Sequence, residues 1–200
     1  MDLTDIAMYC KIKQSKQEAD KYKQQSDLYE SVLTGSVTEF VVPSEWTEIR
    51  GSMFYSCTNL VNVTIPNSVE IIRGYVFTNC TSLINVTIPN NVKSIGGYMF
   101  NGCTSLVSVT IPNSVRFIGG YMFNGCTNLT SVTLGDGFNC NGLDLSASTK
   151  YSVDTLVAML TALADRTGQT AYTLTLGTTN LAKLSDAQKA IATDKNWTLA

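Results

Sequence analysis

The chain has no histidine, only four prolines in 200 residues, and no apolar run near the ~20 residues that a membrane span needs. Lacking histidine, it lacks the commonest general base and metal ligand. Charge is scarce at 15% of residues and sums to −2. Residues 1 to 36 hold 11 of the 30 charged side chains. Val42 to Gly137 holds eight (Glu45, Glu48, Arg50, Glu70, Arg73, Lys93, Arg116 and Asp136), which cancel. A middle without a net field offers nothing to steer a nucleic acid. The opening MDLTDIAMYCKIKQ contains acidic residues and too short an apolar stretch for a signal-peptide core, so export by the usual secretory route is not expected.

What the chain does have is repetition. IPNSVEIIRGYVFTNC, IPNNVKSIGGYMFNGC and IPNSVRFIGGYMFNGC follow one another at 23-residue intervals. Four copies start at Val42, Ile65, Ile88 and Ile111, and a degenerating fifth at Leu134. All four prolines (Pro43, Pro66, Pro89, Pro112) occupy one column, as do Cys57, Cys80, Cys103 and Cys126, then Phe54, Phe77, Phe100 and Phe123, then Leu60, Leu83, Leu106 and Leu129. A phosphate loop built on Gly119-Gly120 would occur once, whereas a recurring segment buries its apolar face against its own copies.

Within one copy, Leu83 to Ile88 alternates with β-branched residues and reads as a strand ended by Pro89, which has no N–H to donate. Leu83, Val86 and Ile88 then point inward. Val92, Ile95, Phe100 and Cys103 return at irregular spacing among glycines, as in a coil with sharp turns that closes back to the next strand. One such turn cannot fold alone, so each leans on its neighbours and the two ends require caps.

The pattern LxxLxLPxxVxxIxxxxFxxCxxL, carried by Leu83 to Leu106, resembles the BspA-like (Treponema-type) leucine-rich repeat over about residues 42 to 137. It departs from that family at Met53, Val76, Met99 and Met122, where alanine is usual, which predicts a bulkier convex side. The resemblance implies an α/β leucine-rich-repeat solenoid of 23-residue turns with a parallel β-sheet on its concave face. It also implies a class of mostly surface-displayed recognition and adhesion proteins of bacteria, parasitic protists and gut-associated bacteriophages.

Three regions follow: residues 1 to 37, a helical N-terminal segment; 38 to 138, the solenoid; and 139 to 200, an α/β C-terminal cap. In the first, Met8, Ile12, Ser15, Ala19, Tyr22, Ser26, Tyr29 and Leu33 alternate by four and three, a weak coiled-coil seam. The segment fits a solvated helix, a homo-oligomeric stalk through Met8, Ile12, Ala19, Tyr22, Tyr29 and Leu33, or a helix docked on the open end of the solenoid, with Phe40-Val41 part of the cover. In the cap, Val153 to Ala164 keeps helical spacing after Ser152, a good N-cap. Tyr172 to Gly177 reads as a strand, Ser185 and Gln188 have capping-box spacing, and WTLA ends in another strand. The cap is expected to continue the concave sheet.

The cysteine column invites a zinc or redox reading. Stacked turns set equivalent residues ~4.8 Å apart in a line, whereas zinc needs four sulfurs converging at ~2.3 Å from one ion. Buried, inert thiols are the simpler reading. Tyr75, Tyr98 and Tyr121 form an outward aromatic column that either packs between turns or binds a ligand. On the concave face Asn62, Thr64, Asn85, Thr87, Ser108, Thr110, Ser131 and Thr133 form an uncharged polar array, either plain solvated sheet or a recognition surface for a glycan or protein. Five Asn-x-Thr sequons follow from the repeat itself.

No acid–base pair, nucleophile beside a base, or cofactor loop is visible, so no catalytic residue, cofactor or metal is expected. The expected function is non-catalytic recognition or adhesion, displayed on a phage virion or bacterial surface, a cytoplasmic location being the other option for a chain without a signal peptide. The partner would be a host protein or glycan, without nucleic acid or membrane insertion. The alternative is a structural spacer whose N-terminal helix drives oligomerisation.

Overall fold

A computed structural model describes residues 38–200. Glu39–Val41 (β1), Asn62–Thr64 (β3), Asn85–Thr87 (β5), Ser108–Ile111 (β7) and Ser131–Leu134 (β9) form one parallel sheet in that order. Its register follows the repeat, with Asn62 opposite Asn85, Asn85 opposite Ser108 and Ser108 opposite Ser131. The β-branched alternation places Val63, Val86, Val109 and Val132 in the core and their neighbours outside. One-residue slippage would expose that whole valine row.

The first strand begins earlier than the repeats starting at Val42 suggest. Phe40 lies in register with Val63, is buried, and meets Phe54 edge-on at 4.9 Å. Phe40-Val41 thus extends the sheet by one strand.

After the first four strands of this sheet the proline carbonyl accepts from the N–H three residues on, as Pro66 does from Val69 at 3.2 Å. The chain then enters a second ladder of Glu48–Ile49 (β2), Ile71–Ile72 (β4), Ser94–Ile95 (β6) and Phe117–Ile118 (β8), where plain coil was expected. The return arm is laddered too, Phe77 N–H donating to Met99 O and Phe100 N–H to Met122 O. Phe54, Phe77, Phe100 and Phe123 stack at 5.3 to 5.7 Å within 12° of parallel. Leu83, Val86, Ile88, Val92, Ile95, Phe100 and Cys103 are all buried, as their pattern requires. Val76, Met99 and Met122 are buried as well, so the extra bulk at this column fills the core and does not thicken the convex side.

The cap departs from expectation in one respect: it does not continue the concave sheet. Leu143–Asp144 (β10), Tyr172–Thr175 (β11) and Trp197–Leu199 (β12) make a separate parallel sheet. The register that a sixth concave strand would take, 23 residues beyond Ser131, falls inside helix α1 (Val153–Ala162), and α1 packs on β9. Leu156, Met159 and Leu160 give that segment a helical apolar stripe, and Ser152 caps it by accepting from Thr155 N–H. A helix therefore closes the sheet edge. The short α2 (Thr178–Leu181) and α3 (Asp186–Thr193) follow, α3 opening with the Ser185–Gln188 capping box.

Three cations stitch the cap together by donating to carbonyls. Lys195 Nζ reaches Thr161 O at 2.6 Å and Leu163 O at 3.0 Å, the C-terminal carbonyls of α1. Lys183 Nζ reaches Thr149 O and Tyr151 O. The buried Arg166 holds Asn139 and Thr170 and lies over the Tyr172 ring. No helix among the described residues is long and apolar enough to cross a membrane.

Candidate functional site

Strands β1 to β9 place all eight predicted polar positions of the concave sheet on its outer side. Asn62, Thr64, Asn85, Thr87, Thr110 and Thr133 are exposed, and Ser108 and Ser131 half-buried. The array divides into two columns of different character. In the first, side chains engage one another: Asn62 Nδ2 donates to Glu39 Oε1 at 3.1 Å and Ser108 Oγ to Asn85 Oδ1 at 2.6 Å. In the second, the hydroxyls of Thr64, Thr87, Thr110 and Thr133 make no hydrogen bond to protein among the described residues.

Two parts of this face were not anticipated. The extra strand β1 adds Glu39, the one charged residue of the five-strand array, and Val41, 63% exposed. A third column, Val61, Ile84 and Val107, runs beside the asparagines, with Ile84 and Val107 about two-fifths exposed. At β1, β3 and β5 lies an open concavity of about 600 Å³ lined by the outward Glu39, Val41, Asn62, Thr64, Asn85 and Thr87 and also by Phe40, Val63, Ile65, Asn67 and Pro89. The outer face of the sheet therefore offers amide and hydroxyl rails side by side, with Val41 exposed on its edge strand. Alternation beginning at Thr38 was the available signal for the missed strand.

The cysteine column is buried and runs along the stack. Cys80, Cys103 and Cys126 Sγ donate to Phe54, Phe77 and Phe100 carbonyls at 3.0 to 3.1 Å. Burial pushes the Cys57 thiol up to about 11 and those of Cys80 and Cys126 to about 12. Such groups stay protonated at neutral pH and are poor nucleophiles. Among the described residues no cluster of acidic or cysteine side chains is placed to hold a metal ion.

The tyrosine column occupies the corner after the second ladder. Tyr75 and Tyr98 stack at 4.8 Å and 5°, Tyr98 and Tyr121 at 5.0 Å and 21°, with Tyr75 46% and Tyr121 61% exposed. All three have left-handed backbone, φ 63°, 59° and 60°. A bulky residue there costs about 1–3 kcal/mol, and a stacked pair returns about 0.5–1.5 kcal/mol. A second left-handed column, four residues on, is filled by Ser56, Asn79, Gly102 and Gly125, of which glycine and asparagine take this conformation most readily.

The seam positions Met8, Ile12, Ala19, Tyr22, Tyr29 and Leu33 lie outside the described residues.

No curated protein matches the sequence. Among solved structures, the T. pallidum leucine-rich repeat protein is similar at 24% identity and TM-score 0.58, over 82% of this chain and 73% of that one. A leucine-rich repeat protein from Eubacterium ventriosum is 23% identical, TM-score 0.55, over 69% of this chain. The pneumococcal vaccine antigen PcpA is 19% identical, TM-score 0.53, over 82% of this chain. This chain spans 35% and 40% of the length of the last two. The model of the BspA type leucine-rich repeat region matches residues 27–144 in six copies, two more than the four full copies that start at Val42, Ile65, Ile88 and Ile111. With more than half its length covered and the solenoid laid out as that pattern requires, the chain belongs to the BspA-type leucine-rich repeat family.

Proposed function

We propose that this chain is a non-catalytic recognition module of the adhesion type, carried on a bacterial surface or a phage virion, which binds a host protein or glycan through the outer face of its five-stranded sheet. The observation that supports this most is the unpartnered threonine column, Thr64, Thr87, Thr110 and Thr133, held in register beside the concavity of about 600 Å³. Rigid sheet positions pre-organise such hydroxyls, so little entropy is lost when a ligand engages them. Display from a solenoid suits repeated weak contacts, since each turn presents the same groups one strand spacing along.

The test is capture of the full chain by immobilised mucin, fibronectin, laminin and a panel of neutral and acidic glycans, with and without Asn85→Ala, Thr87→Ala, Ser108→Ala and Thr110→Ala combined. The expected result is loss of capture with an unchanged melting midpoint, because all four side chains lie on the outer face of the sheet. Unchanged capture would move the function elsewhere and favour a spacer role.

A further inference from the structure

The tyrosine corner is built at a cost the turn itself does not require. The first copy has Ser52 in the same left-handed position (φ 59°), so the corner closes without a ring. Where only the turn matters, four residues on, the chain uses serine, asparagine and glycine. Tyrosine thus stands at position 75 and its two repeats for its ring, and these rings are not core: Tyr75 and Tyr121 leave about half their surface or more in solvent. Their hydroxyls make no hydrogen bond to protein among the described residues.

Stacking decides what the ladder can hold. Each inner ring face is covered by its neighbour at 4.8 to 5.0 Å, so the row presents ring edges, three phenol hydroxyls and the open faces at its two ends. The end face of Tyr75 adjoins the column position held by the small Ser52. At the other end a side chain added at Gly120, next to Tyr121, would meet nothing within 4 Å, so no further turn stacks on that corner, and Tyr121 is 61% exposed. The three tyrosines carry no charge; of the two arginines nearest the Tyr75 end in sequence, Arg73 is paired with Glu48 and Arg50 stands one copy earlier in the same column.

We infer that the Tyr75–Tyr98–Tyr121 ladder is a second binding site, separate from the concave sheet, for a neutral pyranose-bearing glycan, whose apolar C–H face covers an end ring while its hydroxyls bridge the row of phenols. An uncharged ladder excludes the phosphate-driven binding of nucleic acids and the ion pairing that acidic glycans need. Tyrosine supplies wide contact with few rotors to freeze, which suits a ligand whose own surface alternates C–H patches and hydroxyls.

The experiment uses the full chain against immobilised β-1,4-glucan, galactomannan, xylan, α-glucan and, as the charged control, heparin. Tyr75→Ser, Tyr98→Ser and Tyr121→Ser are combined in one variant, which restores at each corner the residue already native at position 52. A second variant, Thr64→Ala, Thr87→Ala and Thr110→Ala, strips the concave sheet instead. The expected result is retention on at least one neutral polysaccharide, weakened about tenfold or more by the serine variant. Retention on none of the neutral polysaccharides, on heparin alone, or equally by the serine variant overturns the inference. Loss only in the alanine variant would overturn it too, and would assign glycan binding to the sheet. Far-ultraviolet circular dichroism and melting show that each variant is folded, and a serine variant that unfolds is replaced by the single change Tyr121→Ser, judged by the same outcomes.

Discussion

The solenoid and its C-terminal cap are held together by different means. In the solenoid the same contacts recur from copy to copy: Phe on Phe, Tyr on Tyr, and Cys80, Cys103 and Cys126 each to the carbonyl of a phenylalanine 26 residues before it. In the cap each contact is unique: three cations, Arg166, Lys183 and Lys195, donate to carbonyls and to Asn139 and Asn180, and Asn180, Asn196 and Trp197 donate to further carbonyls. Stacking copies replaces many particular interactions with a few that recur, so a defect in one turn is shared by its neighbours. A defect in the cap stays local.

The sharpest way to break that comparison is at the paired glycines. A Cβ on Gly119 would fall on the backbone nitrogen of Gly97, and one on Gly96 on that of Gly74, whereas a Cβ on Gly120 meets nothing within 4 Å. Gly119→Ala is expected to cost more than about 4 kcal/mol or to prevent folding, because backbone cannot yield as a flexible side chain can. Gly120→Ala is expected to be nearly neutral. Denaturant titration of the two adjacent variants decides it, and equal midpoints would show that the turns do not stack this tightly.

Next in size is Phe100→Ala, which opens a hole in the middle of the stacked ring column and should cost about 3–5 kcal/mol. Amide exchange should quicken in the copies on both sides, those of Phe77 and Phe123, since neighbour burial is shared. Lys195→Met keeps the apolar stem and removes the donors to Thr161 and Leu163. It should cost about 1–2 kcal/mol. Faster exchange should be confined to the end of α1 and to β12. Quickened exchange through the solenoid after Lys195→Met would show that cap and repeats unfold as one unit.

The same contrast explains what could be read from sequence. Four copies averaged the accidents out of the repeat, so inward Leu83, Val86, Ile95 and Phe100 and outward Asn85 and Thr87 were legible from column identity alone. The second ladder was not, because strands of two residues, such as Ile71–Ile72, carry no alternation to detect. Strand β1 was hidden by counting from the first proline. In the cap, local signals such as Ser152 and Ser185–Gln188 marked the helices correctly. Their arrangement depended on α1 taking the place of a sixth strand, a competition between helix and sheet that no short pattern settles. The left-handed tyrosines were hidden for a related reason: beside Gly74, Gly97 and Gly120, glycine is the residue one expects in that conformation, yet the tyrosine adopts it.

The smallest effect is expected where the solenoid borrows the cap's method and relies on one charge. Arg73 Nε and Nη2 donate to the two carboxylate oxygens of Glu48 at 2.9 and 3.0 Å across the edge of the second ladder. The hydrogen bond from Arg73, aided by the charges of Arg73 and Arg50, holds the Glu48 carboxyl below its ordinary value of 4.5, while partial burial pulls the other way. A carboxyl lowered by folding stabilises the native state above that ordinary value and loses the contribution as pH falls through the folded one. Both side chains are open to solvent, 35% and 57% exposed, so water and salt screen the pair. Glu48→Gln should therefore shift the melting midpoint only slightly at pH 7 and in low salt. The shift should fade in high salt and vanish in acid, where wild type is protonated as well. A loss as large as that of Lys195→Met, persisting in acid, would mean that Glu48 acts through packing at the ladder's edge and not through its charge.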